Sequence, residues 1–428
     1  MKVLRPKDRG YEKALASLNR RAAPDPKVRS VVADILAGIE KNGDAALVRY
    51  TKKFGGPSLS ASQIPVAPAE TARAIAELPA STRRAISAAR ANVRNFARRS
   101  LRKSWFMKNR QGAVVGERFD PFHRVGIYIP GGNAPLVSSA IMTCTLASAA
   151  GVREIVAVTP AGKDGRVHPA LLAALAECGA TEIYRVGGAQ AVAALAFGTK
   201  TIRPVQKIFG PGNAWVVEAK RQVFGRVAVD LLPGPSEVLV IADRTANPAW
   251  IAADLLAQSE HGHGSAAILV TDSGKILAAV DKSLSKQIKL SKRPKELAAA
   301  LKNASLVLVE DMESAVRLAN SYAAEHVSIA AANPGQIALQ LTTSGAIFLG
   351  GISPVVGGDF LAGPSHELPT GGAGKSFAGL TVDQFQRRTS VVMFDEPSLR
   401  ASLPYLETFS EIEGLDAHGR SARIRLES

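Results

Sequence analysis

Five of the seven histidines lie after residue 260, and some of them have neighbours that could share a metal ion. Gln258 and His261 are three residues apart at the end of the helical pattern AADLLAQSEH, so both lie on one helix face. An imidazole, a carboxamide oxygen and a carboxylate such as Asp359 are suitable ligands for Zn²⁺ or another borderline divalent ion. Hydrogen-bonded structural histidines would show the same spacing, so the pattern leaves both interpretations open.

Glu325 and His326 are adjacent in NSYAAEHVSI, immediately before an apolar run. Histidine is the side chain best suited to transfer protons near neutral pH, and a neighbouring carboxylate can share that work. The pair therefore indicates acid–base chemistry at the edge of a sheet. The structural alternative is a histidine at a helix C-terminus, where the helix dipole stabilises it.

Four glycine-containing turns follow or link predicted strands, at residues 130–133, 186–190, 209–213 and 231–237. Glycine at a strand-to-helix junction lets the backbone approach a ligand and directs a helix N-terminus toward an anion. Each turn alone could be only a tight turn, but four together favour a phosphate-bearing or nucleotide ligand. None of them has the GxGxxG pattern of a standard dinucleotide loop.

The elements that must position these groups follow from nine short apolar runs that alternate with helical patterns. These runs are 125–129, 154–159, 182–186, 207–209, 237–243, 266–272, 305–311, 326–331 and 346–350. Strands that alternate with helices predict βαβ units and largely parallel sheets. We therefore expect an α/β fold with two Rossmann-like, doubly wound lobes.

Four segments are predicted along the chain. They are a basic helical region at 1–124 that packs partly on the second lobe, a first lobe at 125–236, a second lobe at 237–380 and a tail at 381–428. Within the tail, DQFQRRTSVV is predicted to be a helix, followed by a short helix and the strand-like RIRLES.

The positive charge is concentrated at the N-terminus, because residues 1–120 hold 25 basic and 10 acidic residues of a chain with net charge +16. Much of it falls on a predicted basic amphipathic helix, which could bind a phosphate backbone, a membrane surface or an acidic partner. A solvated helix face beside a core-facing stripe is the simpler interpretation, and no nucleic-acid-binding motif accompanies it. The expected stripe is Ala85, Ile86, Ala89, Val93 and Phe96.

Composition narrows the class of protein further. The 428 residues, 46% hydrophobic and 21% charged, are ordinary for a globular protein, which excludes disordered and collagen-like classes. No apolar run reaches the roughly 18 residues of a membrane span, and the charged N-terminus does not resemble an export signal. Only two cysteines occur, so we expect a cytoplasmic protein.

Eight segments, taken together and in order, resemble the histidinol dehydrogenase family over nearly the whole chain. They are VGIYIPGGNAPL, VGGAQAVAALAFGT, KIFGPGN, LLPGPSEVLVIAD, LLAQSEHG, YAAEHVSI, DFLAGPSHELPTGG and GLDAHGRSARIR. The resemblance implies zinc-dependent, NAD-linked oxidation of L-histidinol through L-histidinal to L-histidine, in two successive hydride transfers. It also implies a two-lobed Rossmann-like fold without the usual phosphate loop, and an intertwined homodimer.

The resemblance carries specific roles to residues of this chain. One zinc ion per subunit would be held by Gln258, His261, Asp359 and His418, with His418 and Glu413 donated by the partner subunit. Glu325 and His326 would be the catalytic pair. Cofactor contacts would come from Tyr128, Gln190 and Asn213. The implied substrate-binding positions are Ser236, Gln258, His261, His326, Asp359, His366, Glu413 and His418.

Two positions depart from the family's usual pattern. Phe360 stands where a tyrosine usually follows the metal-binding aspartate, and Ala324 stands where a proline usually precedes the catalytic pair. These departures leave open a related zinc- and NAD-dependent enzyme that oxidises another polar alcohol, for example a sulfonated propanediol. The presence of both His366 and Glu413 favours histidinol.

Overall fold

A computed structural model describes residues 1–19, 25–131, 135–262, 264–292 and 294–427. Within these ranges the strands are β1 (Lys2–Leu4), β2 (Trp105–Lys108), β3 (Val114–Pro121), β4 (Arg124–Tyr128), β5 (Glu154–Val158), β6 (Glu182–Tyr184), β7 (Lys207–Phe209), β8 (Ala228–Val229), β9 (Glu237–Ala242), β10 (Ala266–Thr271), β11 (Ser305–Leu308), β12 (His326–Ala330), β13 (Ala346–Leu349) and β14 (Gln386–Met393). The helices are α1 (Tyr11–Ala16), α2 (Pro26–Lys53), α3 (Pro68–Ala76), α4 (Ala80–Ser100), α5 (Val137–Ala150), α6 (Pro169–Glu177), α7 (Gly188–Phe197), α8 (Ala214–Val223), α9 (Pro248–Ser259), α10 (Gly274–Gln287), α11 (Pro294–Ala300), α12 (Met312–Tyr322), α13 (Pro334–Ala338), α14 (Val355–Phe360), α15 (Glu396–Glu413) and α16 (Asp416–Arg423).

The first parallel sheet has the order β6-β5-β4-β7-β8. Counted along the chain this is 3-2-1-4-5, the order in which a doubly wound sheet reverses direction between its first and fourth strands. Helices α4, α5 and α6 cover one face, and α2, α7 and α8 cover the other. Because both faces are buried, the strands are almost entirely apolar, which is why they were recognisable as short apolar runs.

The second parallel sheet repeats this order with one additional strand at its edge, β1-β11-β10-β9-β12-β13. One of its faces packs against α9, α10 and α11, and the other packs against α12 and α13. All nine predicted strand runs are present in the two sheets, and the predicted parallel pairing is confirmed. None of the helices in the described ranges combines the length and apolarity needed to cross a bilayer.

The N-terminal region divides between the two sheets. Strand β1 pairs with β11, and the hydroxyl of Tyr11 on α1 donates to the Leu308 carbonyl at 2.8 Å, so this part packs on the second sheet. Helices α2, α3 and α4 instead pack on the helices of the first sheet. The first 18 residues therefore pack on the second sheet, and α4 reaches the 237–380 segment through Asn92 Nδ2, which donates to the Leu361 carbonyl at 2.9 Å. The predicted segment bounds themselves stay a prediction.

A third, antiparallel sheet corrects two predictions for the tail. The predicted helix DQFQRRTSVV contains a 3-10 turn at Val382–Phe385 followed by strand β14, which pairs along its full length with β3. The predicted strand RIRLES is instead the end of α16 and a 3-10 turn at Ile424–Leu426. The first error arises because the partner of β14 lies more than 250 residues earlier in the sequence, where local periodicity carries no signal.

The basic helix forms as predicted, but its buried face is rotated. Helix α4 buries Ile86, Ala89, Val93 and Ala97, whereas Phe96 is 43% exposed. The prediction of Ala85 and Phe96 as core residues is therefore wrong. Small side chains suffice on the inner face because α4 lies close against α5.

An ion cluster closes the amino edge of the first sheet. Arg124, 5% exposed, donates to Glu154 at 2.7 Å and to Glu182 at 2.6 and 2.8 Å. The hydrogen bonds from Arg124 lower the pKa of Glu182 to about 2. The cluster joins the starts of β4, β5 and β6, at the edge opposite to the predicted cofactor turns.

Candidate active site

The adjacent carboxylate and imidazole lie at the amino edge of the second sheet. Helix α12 ends at Tyr322, and Ala323 then adopts a left-handed conformation (φ 54°), the only positive φ of a non-glycine residue in the described ranges. This sharp turn brings Glu325 and His326 to the start of β12, where both are buried. Backbone conformations of this kind are costly and are often found at functional sites.

The neighbouring strand holds both members of this pair. Ser236 Oγ and the Glu237 amide both donate to Glu325 Oε2, at 2.6 and 2.8 Å. His326 Nδ1 lies 3.0 Å from the Glu237 carbonyl oxygen. Because a carbonyl only accepts, this contact fixes one proton on Nδ1, so Nε2 is the nitrogen that gains and loses a proton.

The free nitrogen of His326 faces a third group. Nε2 lies 3.3 Å from Asp359 Oδ1 and has no hydrogen bond of acceptable geometry among the described residues. Burial alone would lower the pKa of His326, but the facing carboxylates of Asp359 and Glu325 raise it to about 9. Burial raises the pKa of Glu325, although the His326 charge and two hydrogen bonds oppose the shift.

Oxygen and nitrogen donors meet where α9 packs against α14. Gln258 on α9 is 4% exposed, and its Nε2 has no hydrogen-bond partner among the described residues. His261 follows that helix and is exposed. Burial works to raise the pKa of Asp359 on α14, but the nearby imidazoles, including His261, lower it overall. The Gln258 amide oxygen, the His261 imidazole and the Asp359 carboxylate are ligand types that zinc accepts.

His366 connects the two sheets at this point. Its Nδ1 lies 2.7 Å from the Asp359 carbonyl oxygen, and its Nε2 lies 3.1 Å from Ser139 Oγ on α5 of the first sheet. A second bridge runs from the Gly234 amide to Thr370 Oγ1 at 2.5 Å. The carboxyl edge of the first sheet therefore faces the amino edge of the second. Sequence reasoning missed Ser139 and the backbone of Glu237, whose roles depend on contacts far apart in the chain.

The three predicted cofactor residues line one cavity of about 510 Å³ at the carboxyl edge of the first sheet. Tyr128 ends β4, and its hydroxyl accepts from the Gly188 amide at 3.1 Å. Asn213 caps α8 by accepting from the Trp215 and Val216 amides. Gln190 lies in the first turn of α7, so the N-termini of two helices open toward the cavity and would favour an anion. Of the predicted turn at 130–133, residues 132 and 133 lie outside the described ranges.

Comparison with known proteins decides the family. The histidinol dehydrogenase family model matches residues 18–426. The chain is 44% identical to histidinol dehydrogenase of Geobacillus kaustophilus, over 93% of this chain and 94% of that protein. The corresponding enzyme of Rhizobium meliloti is 42% identical, over 98% and 97%. The crystal structure of histidinol dehydrogenase from Elizabethkingia anophelis matches with a TM-score of 0.94 at 33% identity, covering 100% of this chain and 98% of that one.

The chain belongs to the histidinol dehydrogenase family. It is therefore an oxidoreductase of histidine biosynthesis, as the resemblance implied. The residues that the sequence assigned to this chemistry are grouped in the structure, with two exceptions in the tail.

Those exceptions are Glu413 at the end of α15 and His418 on α16, both exposed. His418 lines a cavity with residues of its own tail, including Asp395 and Glu396. Across the described part of the chain, no group of three His, Cys, Asp or Glu side chains could hold a metal ion. His418 therefore does not join His261 and Asp359 within one chain.

The two cysteines are unsuited to a catalytic role in this histidinol dehydrogenase. Cys144 and Cys178 are free and buried. Burial raises the pKa of Cys178 to about 11 and raises that of Cys144 as well. Since the thiolate is the reactive form, neither residue is suited to act as a nucleophile at neutral pH.

Proposed function

We propose that the chain catalyses the zinc-dependent oxidation of L-histidinol to L-histidine through L-histidinal, with hydride passed in two steps to NAD⁺. The observation that carries this proposal is the position of the Glu325–His326 pair. It lies beside Asp359 at the amino edge of the second sheet, and His366 next to it contacts Ser139 at the carboxyl edge of the first sheet.

Gln258, His261 and Asp359 would hold the zinc ion, and His418 of the partner subunit would complete the set. When bound, zinc would hold the substrate by its nitrogen donors and so orient the alcohol carbon. The burial of Gln258 at the end of α9, three residues before His261, supports this assignment.

Tyr128, Gln190 and Asn213 would bind NAD⁺, which supplies the hydride acceptor. Helices α7 and α8 direct their N-termini into this cavity, where the pyrophosphate would lie. This arrangement needs no GxGxxG loop, because the start of α7 and the positive end of the α8 dipole would attract the anion.

His326 would accept the alcohol proton at Nε2 in the first oxidation, because Nδ1 already donates to the Glu237 carbonyl. Water then adds to the aldehyde, and Glu325 would take a proton from that water. The hydrated aldehyde loses a second hydride and becomes the carboxylate. In total one alcohol, one water and two NAD⁺ give one carboxylate, two NADH and three protons.

Ser236, His366 and the partner's Glu413 would contact the substrate outside the metal set. Ser236 donates to Glu325, so it would also align the carboxylate that activates water. His366 is fixed at Nδ1 by the Asp359 carbonyl, and its Nε2 would exchange Ser139 for a polar substrate group. Both cysteines are thiols, which supports a cytoplasmic location.

A homodimer in which the tails exchange would bring His418 and Glu413 to the partner's site. The tail helix α15 exposes Tyr405, Phe409 and Ile412 at 60%, 63% and 75%. Exposed apolar side chains of this size, grouped on one helix, are typical of a surface that another protein covers.

Mixing His418→Asn with His261→Asn protein is expected to restore activity that neither variant has alone. Half of randomly mixed dimers are heterodimers with one intact site, so recovery should approach about a quarter of the wild-type rate. The measurement is NADH formation after subunit exchange, with each variant exchanged against itself as the control. Absence of recovery in confirmed heterodimers would contradict a shared site.

The proposed function is tested by NADH formation from L-histidinol with chelator-stripped and Zn²⁺-refilled protein. We expect activity to be lost on stripping and to return with Zn²⁺, while Mg²⁺ serves as the control ion. Sulfonated propanediol is assayed in parallel because of Phe360, which is 58% exposed beside Asp359. Oxidation of that alcohol without oxidation of histidinol would overturn the substrate assignment and keep the family.

A further inference from the structure

A buried ion pair lies directly behind the glycine turn at 210–213, among groups that the proposed chemistry does not use. Lys220 on α8 pairs with Asp230, which follows β8, and their side chains are 0% and 3% exposed. Both side chains also hydrogen-bond to the backbone of the same residue, Gly210. Lys220 Nζ donates to the Gly210 carbonyl at 2.9 Å, and the Gly210 amide donates to Asp230 Oδ2 at 2.7 Å.

Gly210 is itself confined by its surroundings. Its φ of +105° lies in the left-handed region, and a Cβ at this position would lie 2.1 Å from the Tyr128 carbonyl oxygen. Only glycine can hold this conformation against Tyr128. The ion pair thus hydrogen-bonds to both the carbonyl and the amide of Gly210, and Gly210 packs against the end of β4.

Three residues later the same turn reaches the cavity. Asn213 caps α8 and lines the cavity together with Tyr128. Lys220 lies on α8 as well, so the pair fixes both the start of the turn and the helix whose N-terminus opens toward the cavity. A shift of Gly210 would displace Asn213 relative to Tyr128.

Stability alone does not account for such a pair. Removing two ions from water is costly, and apolar side chains of similar size often stabilise a core as well or better. What apolar residues could not supply is a donor for the Gly210 carbonyl and an acceptor for its amide. The position of the pair therefore indicates a role in the geometry of the turn.

We propose that Lys220 and Asp230 are positioning residues that hold the 210–213 turn in its NAD⁺-binding form. This inference rests on the proposed function, since it concerns the same cofactor cavity. It assigns to these two residues an effect on cofactor affinity, without direct contact with the cofactor and without an effect on zinc binding.

The test is equilibrium binding of NAD⁺ by the zinc-loaded protein, measured by calorimetry, for the double variant Lys220→Met/Asp230→Asn. This variant removes both charges of the pair and keeps an acceptor for the Gly210 amide, so it should fold where single variants could fail. We expect Kd for NAD⁺ to rise at least about tenfold while zinc content stays at the wild-type value. Thermal unfolding is measured on the same samples to verify the fold.

The control is Glu182→Gln, which weakens the ion cluster at the opposite edge of the same sheet. It should lower thermal stability and leave Kd for NAD⁺ unchanged. Wild-type affinity for NAD⁺ in the folded double variant, or an equal rise of Kd in the control, would overturn this inference but not the proposed function. Failure of the wild-type protein to bind NAD⁺ would overturn the proposed function and the inference with it.

Discussion

The His326→Asn variant is expected to lose about 10²- to 10⁴-fold in kcat for histidinol oxidation, the range in which a general base contributes. Asparagine can still donate to the Glu237 carbonyl from the position of Nδ1, but it has no equivalent of Nε2. The loss therefore isolates the proton acceptor from the structural hydrogen bond. Initial rates of NADH formation at saturating substrate and NAD⁺ provide the measurement.

The matched control for this variant is His123→Gln, since the side chain of His123 is 59% exposed and lies at the other edge of the first sheet. It should retain the wild-type kcat. The assignment of His326 fails if His326→Asn keeps more than about a tenth of the wild-type kcat. It also fails if the loss can be traced to loss of zinc, which metal analysis of the purified variant would detect.

The Glu325→Gln variant should separate the two oxidations. Glutamine can accept the hydrogen bonds from Ser236 and the Glu237 amide, so the site keeps its shape, but it cannot take a proton from water. The first hydride transfer should proceed, and the second should slow by about 10²- to 10⁴-fold. A single-turnover experiment should then yield a burst of one NADH per site, with histidinal captured by hydroxylamine.

Glu218→Gln is the corresponding control, because Glu218 is equally buried but binds Arg221 and Gln222 away from the pair. It should yield two NADH per site at the wild-type rate. Two NADH per site at that rate from Glu325→Gln would show that another group activates the water.

The fold could be predicted from the sequence where strands are buried on both faces. Runs such as 237–243 and 266–272 are apolar throughout, because parallel strands covered by helices have no polar face. Strands β2, β3 and β14 were not predicted, since they form a small antiparallel sheet whose side chains are largely exposed. Strand β1 has three residues, and its pairing with β11 is encoded in no local pattern.

The part of the site that could be predicted consists of residues whose type and spacing in the sequence suggest a chemical role. Glu325 and His326 are adjacent in sequence, and Gln258 and His261 share a helix end, so their chemistry was visible. The sequence did not indicate the roles of Glu237, Ser139 and Lys220. Glu237 acts through its backbone, and the other two act through partners supplied by the tertiary fold.

The position of the proposed catalytic pair, Glu325 and His326, also departs from the usual location of ligands in open α/β sheets. Such sheets bind ligands at the carboxyl ends of their strands, as the cavity of the first sheet does. The pair lies at the amino edge of the second sheet instead. Helix α9 returns the chain to that edge and carries Gln258 and His261 with it, so these proposed metal ligands lie at a helix C-terminus.

The most direct test is the amount of NADH and L-histidine formed for each L-histidinol consumed by the Zn²⁺-loaded protein. The proposed site predicts two NADH and one L-histidine, with no free histidinal. One NADH with release of the aldehyde, or no oxidation of histidinol at all, would contradict a site that carries out both oxidations.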